Sequence, residues 1–168
     1  MASGALYNDG TGTDAGHVRI YEWSGSAWVQ KGSDIDGEAA GDESAFSVSL
    51  SSDGSIVAIG ARINNSAAGH VRIYEWSGSA WVQKGSDIDG EAGSDGSGYS
   101  VSLSSDGSIV AIGARFNDSA ATHVRIYECS GSSWRQKVSA VGGEGGCGRS
   151  GYSGTMSWDG SRETIGQI

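Results

Sequence analysis

Basic residues are scarce: 11 Lys and Arg against 20 Asp and Glu leave a net charge of −9 and a pI of about 4.6. Phosphate binding needs clustered Lys and Arg, so no nucleic-acid partner is expected. An acidic surface serves solubility, with divalent cations as a further option. Cysteine is nearly missing. Cys129 and Cys147 fall in the last part of the chain only, and Cys129 stands where equivalent positions hold Trp23 and Trp76, so no disulfide framework is read. No apolar run approaches the about 18 residues of a membrane helix, and no membrane insertion is expected. Met1-Ala2-Ser3-Gly4 has neither the basic start nor the apolar core of a signal peptide. Proline is absent, and no segment shows helical spacing with caps.

What the chain has instead is glycine and periodicity. Its 29 Gly, with Ser in almost every turn, would suit a flexible linker. Six Trp and six Tyr placed periodically among Val and Ile argue against that, because disordered segments are poor in such residues. The period is 53 residues: His17 to Gly69 lies over His70 to Thr122 without a gap, and about 45 of the 53 positions match. A third copy from His123 keeps the register to the end of the chain.

Within a repeat, Phe46-Ser47-Val48-Ser49-Leu50 alternates strictly, the period of a half-buried strand. Ser51-Ser52-Asp53-Gly54 is a tight turn. Ile56-Val57-Ala58-Ile59 is apolar on both faces and reads as an interior strand. After a polar connection bending at Asn64-Asn65-Ser66, His70 to Trp76 and Ala80 to Lys84 form a second hairpin about Ser77-Gly78-Ser79. Gly85 to about Gly98 is a long polar crossover. Two hairpins and a crossover in 53 residues match a propeller blade, whose known repeats run about 40 to 50 residues. The expected fold is all-β, with about three four-stranded propeller-type blades.

Ala45-Phe46-Ser47-Val48-Ser49-Leu50 and Val57-Ala58-Ile59-Gly60-Ala61 resemble the Phe-Gly-x-Ser-Val opening and the apolar-Gly-Ala strand of the FG-GAP-like repeats of integrin α-subunit β-propellers. Gly98-Tyr99-Ser100-Val101 and Val110-Ala111-Ile112-Gly113-Ala114 repeat the likeness, which covers almost the whole chain. The resemblance implies an adhesive or partner-binding propeller acting outside the cell. Calcium-binding members carry an Asp-rich loop between the first two strands, where this chain has only Ser51-Ser52-Asp53-Gly54, so those calcium sites do not carry over.

Gly4-Ala5 falls on Gly60-Ala61, so residues 1–42 should give an outer hairpin and crossover, 43–95 and 96–148 two blades, and 149–168 the inner hairpin of a degenerate further blade. The ends read as complementary halves. Joined within one chain they would close a three-bladed ring, below the about four to eight blades of propellers. A homodimer would make a six-bladed ring; otherwise the array is a piece of a longer one. The third copy has decayed, with Gly154 for Val101, Glu163 for Val110, and Val138-Ser139-Ala140-Val141 for Gly85-Ser86-Asp87-Ile88. Each lost apolar side chain forfeits about 1.5–3 kcal/mol of burial, so the last hairpin should be the least stable part.

Candidate ligands for calcium are Asp34 and Asp36, Asp87 and Asp89, where alternating carboxylates precede a glycine, and Asp9 with Asp14 in a single-copy loop. Trp23 with Trp28, and Trp76 with Trp81, flank their hairpin turns and could stack sugars; cross-strand packing or filling between blades is the alternative. His17, His70 and His123 recur once per blade without a metal-ligand spacing, as strand-start residues. No catalytic constellation is recognised, and Ser77-Gly78-Ser79 is turn chemistry. The expected function is therefore a non-enzymatic module binding a protein partner through the loops at Asn64 to Ala67 and Asp87 to Asp95. A lectin-like propeller for glycans, or a fragment of a larger propeller, is the alternative.

Overall fold

The computed structural model describes residues 1–115, 123–138, 141–142, 153–157 and 159–166, with 141–142 and 163–166 as backbone. Cys147 and the Gly151-Tyr152 opening of the last hairpin lie outside them. The first strands are β1 (Ala2–Ala5), β2 (His17–Trp23), β3 (Trp28–Gln30) and the two-residue β4 (Ile35–Asp36). The next repeat gives β5 (Ser47–Leu50), β6 (Ile56–Ala61), β7 (His70–Trp76), β8 (Trp81–Gln83) and β9 (Ile88–Asp89). Then come β10 (Ser97–Leu103), β11 (Ile109–Ala114), β12 (His123–Ser130), β13 (Ser133–Gln136) and β14 (Val141–Gly142), and a closing hairpin of β15 (Ser153–Met156) and β16 (Glu163–Gly166). Each complete sheet is an antiparallel meander, β5-β6-β7-β8 and β10-β11-β12-β13, and the array is all-β, propeller-type and unclosed. No helix among the described residues is long and apolar enough to cross a membrane.

The repeat is reproduced in register. Gly60 faces Val71 and Ala61 faces His70 across β6 and β7, as Gly4 faces Val18 and Ala5 faces His17 across β1 and β2. β16 pairs with β15 as β11 pairs with β10, Gly154 opposite Ile165 as Val101 is opposite Ile112. Both ends of the described array thus carry a strand of the second kind. A blade assembled from the two ends would hold β1 and β16 in one place, so completion by a second copy requires one of them to be displaced.

The crossover differs from the polar loop expected of it. Ile35 and Ile88 are buried, 5% exposed each, and bring β4 and β9 alongside the beginnings of β2 and β7. Burial of one isoleucine turns a stretch of Ser, Asp and Gly into a short fifth strand. The bend at Asn64–Ala67 is a left-handed turn, with positive φ at Asn65, Ser66 and Ala67. Its Ser66 and Ala67 carbonyls accept from the Ser94 and Gly96 N–H groups, which ties it to the following crossover.

The core lies between blades. Val57 and Ile59 of β6 pack toward the first sheet with Val18, Ile20 and Ile35; Ile56 and Ala58 pack toward the third with Leu103, Val110 and Ile112. A central strand covered on both faces explains the unbroken Ile56-Val57-Ala58-Ile59 run. The serines of β5 are likewise not turned to water. Ser47 Oγ donates to the Gly98 carbonyl at 2.7 Å, and Ser49 Oγ accepts from the Leu103 N–H at 3.0 Å. One repeat later, Ser102 Oγ accepts from the Met156 N–H at 3.0 Å. This junction is tight: a Cβ on Gly60 would sit 2.2 Å from the Gly98 carbonyl oxygen, so only glycine fits.

Ser49→Ala should therefore remove an acceptor from a blade junction while leaving the strand's pairing intact. The expected loss is about 1–2 kcal/mol, read as a lower urea midpoint with unchanged slope; an unchanged midpoint would show that water replaces the hydroxyl.

Candidate functional site

The sites with chemical potential lie where the start of a third-type strand meets the crossover that follows it. His17 is the cross-strand partner of Asp36, and Val18 of Ile35. Strand alternation buries Ile35 and leaves Asp34 and Asp36 together on the other side. His17 Nδ1 is 3.5 Å from an Asp34 oxygen, and His17, Asp34 and Asp36 each offer an atom within 4.8 Å of the others. The second repeat draws on two crossovers. His70 Nδ1 lies 3.6 Å from Asp87 and 3.9 Å from Glu38, and Glu38 belongs to the preceding crossover. In the third repeat Glu91 approaches His123 Nε2 at 3.7 Å, and the sequence has Ala140 where Asp87 stood.

An arginine two residues after each histidine distinguishes the three. Arg19 has no earlier crossover beside it among the described residues and closes on Asp34, its Nε and Nη2 donating to both carboxylate oxygens at 2.8–3.0 Å. The Arg19 guanidinium and the Gln30 amide hold the Asp34 carboxyl down at about 2, against burial that would raise it. Arg72 turns the other way: Nη2 donates to the Asp36 carbonyl at 2.8 Å, and Nη1 sits 3.4 Å from Glu38 Oε1. Asp87 is thereby left to Gln83 and His70. Burial, and then Arg72, push the His70 imidazole below its ordinary value of 6.5, so the ring is neutral at pH 7.

The other predicted ligands do not join these clusters. Asp89 follows Ile88 at the surface, outside the His70 group. Asp9 accepts from the Asp14 N–H at 2.9 Å, so the two close their own loop. Asp42 and Asp95, each buried, accept from the Ala39 and Ala92 N–H groups and shape the crossovers.

The tryptophans divide in the same way as the arginines. Trp81 Nε1 donates to the Lys31 carbonyl, and Trp134 Nε1 to the Lys84 carbonyl, both at 2.7 Å. A Cβ on Gly32 would meet the Trp76 ring at 2.7 Å, and one on Gly85 the Trp134 ring at 2.9 Å. Trp76 and Trp81 thus fill space between blades. Trp23 and Trp28 have no blade of that kind beside them and stay 53% and 52% exposed, their rings 5.5 Å apart.

Beside each of these partly buried indoles a cleft opens between consecutive blades. One, of about 220 Å³, is lined by Asp34, Asp36, Tyr74 and Trp81; its equivalent, about 310 Å³, by Asp87, Asp89, Tyr127 and Trp134. Burial pushes both phenols up, so each is a neutral hydroxyl at pH 7. Neither the tyrosines nor the pairing of the histidines with these aspartates stood out in the sequence. The signal was there: an Asp-Ile-Asp follows His17 and His70 at the same spacing and is lost after His123.

No family model matches the chain, and no curated protein is similar enough to match. Among solved structures, the chain is similar to a Bacteroides fragilis protein bearing the provisional name 6-phosphogluconolactonase, with a TM-score of 0.56 and 12% identity. The match covers 83% of this chain but only 38% of that one. At such identity it establishes the propeller-like fold and nothing of the chemistry.

Because Arg19 causes the low Asp34 value, Arg19→Gln should return the carboxyl toward its ordinary 3.8, read by carbon-detected NMR titration. The folded value is depressed, so the stability this pair contributes is present above 3.8 and is lost as the pH falls toward 2. An Asp34 titration unmoved by the substitution would overturn the assignment.

Proposed function

We propose that the chain is a non-enzymatic β-propeller repeat module of the FG-GAP-like type, binding a protein partner, as in adhesion, at the surface of or outside the cell. The observation that carries this reading is the recurrence of one cleft: Asp, Asp, Tyr and Trp meet at successive blade junctions in the same arrangement. Equivalent sites at a fixed offset suit a ligand that repeats, because linked weak contacts gain about 10²–10⁴ in avidity over either alone. Catalysis, by contrast, asks one pocket to hold differentiated acid, base and nucleophile. The loop at Asn64–Ala67 and the crossover at 87–95, hydrogen-bonded to each other, form the adjoining contact surface.

A glycan is the second reading, favoured by an indole and a phenol beside two carboxylates in a shallow cleft. Aromatic faces stack on the apolar side of a sugar ring while carboxylates accept from its hydroxyls.

Three assays separate these. On a glycan array, sugar binding that disappears in Tyr74→Ala/Tyr127→Ala would select the glycan reading. Crosslinking to a protein that is lost in Asp36→Ala/Asp89→Ala, with a blank array, is the outcome expected of the leading one. Hydrolysis of 6-phosphogluconolactone above its spontaneous rate would overturn the non-enzymatic assignment.

A further inference from the structure

We propose that His70, Asp87 and Glu38 form a binding site for a single divalent transition-metal ion of the zinc class. The site borders one of the ligand clefts, with which it shares Asp87, but the proposal does not depend on what occupies that cleft.

The first observation is the histidine itself. The His70 side chain is 98% buried, with 2% exposed, and its Nδ1 is directed at two carboxylates. Neither contact is a hydrogen bond, since 3.6 and 3.9 Å exceed the range for N–H···O. No described residue hydrogen-bonds the ring. Two ligands of a tetrahedral zinc ion, each about 2.0–2.1 Å from the metal, stand about 3.4 Å apart. The three donor atoms, all within 4.8 Å of one another, need only a small contraction to meet that spacing.

The second observation is how the carboxylates are held. Asp87 accepts from the Gln83 amide on Oδ1 and presents Oδ2 to His70. Glu38 meets Arg72 with Oε1 and presents Oε2 to His70. In each, a neighbour takes the outer oxygen and leaves the inner one free, the arrangement by which outer partners orient metal ligands. An imidazole nitrogen with two carboxylate oxygens suits zinc better than calcium, which takes oxygen ligands in larger number. Three protein ligands leave a fourth position for water.

The first repeat shows what the site requires. At His17 a comparable group forms with Asp34 and Asp36, but Arg19 occupies both Asp34 oxygens. His70 takes one carboxylate from the crossover on each side of its repeat, each with an oxygen left for a metal.

The test is calorimetric titration of the untagged full-length chain with zinc, paired with the visible absorption of its cobalt form. One equivalent should bind, with the intense bands of four-coordinate cobalt. Asp87→Asn and Glu38→Gln should each weaken binding by more than about tenfold, whereas Asp34→Asn should leave it unchanged. These carboxylates are 27% and 47% exposed, so their variants should fold where a change at His70 could fail; far-ultraviolet circular dichroism checks this. Absence of binding would overturn the proposal. So would binding that survives the Asp87→Asn/Glu38→Gln double variant, or loss through Asp34→Asn.

Discussion

Every feature of this molecule depends on how closely one sheet can approach the next. The approach is set by backbone: the β6 glycine faces a carbonyl of β10 across a gap that admits no side chain. At that distance the facing N–H and C=O groups cannot keep their water and must find partners in the protein. The inner-strand serines supply them, and further out the indole N–H groups of Trp81 and Trp134 reach back to lysine carbonyls. A blade of this sequence cannot bury its two apolar faces alone, which is why stability in such arrays resides largely in the junctions.

The same dependence separates repeats that are almost identical in text. Arg19 and Arg72 occupy equivalent positions, yet one forks onto its own aspartate and the other reaches a preceding crossover. Trp28 and Trp81 differ likewise, one open to solvent and one seated on a neighbouring turn. Environment, not sequence, assigns the roles. A site built from two successive repeats exists only where both are present.

The strands were legible because their signals are local. Alternation at Phe46 to Leu50, the unbroken apolar run at Ile56 to Ile59 and the Ser-Gly turns each require only a few consecutive residues. The FG-GAP-like resemblance and the 53-residue period added the grouping into blades. What stayed hidden is non-local. A serine alternating with valine has the same period whether it faces water or another sheet, so the junction hydrogen bonds could not be read. Ile35 and Ile88 looked like single apolar residues in polar loops, and only a third strand alongside makes them β4 and β9. Glu38 and His70 lie in different repeats, so reading each repeat as a unit keeps them apart. Cys129, opposite Trp134 where the other hairpins pair two tryptophans, was visible as drift from sequence alone.

Heterologous contacts have a directional logic: each blade has a donor side and an acceptor side, and nothing in such a contact limits the number of units. The acceptor side here is a Lys-Gly pair whose glycine, at φ of +80° in Gly32 and +83° in Gly85, lies flat beneath the incoming indole. At the third such place the pair is Lys137-Val138, the lysine N–H bonded to Ile126 as its counterparts are to Ile20 and Ile73. The valine side chain, 47% exposed, stands where the two glycines have none. A β-branched residue does not take the left-handed backbone that would clear it. The outer hairpin of the third sheet therefore lacks the flat glycine seat of the first two, while its inner strand still carries the next hairpin through Ser102.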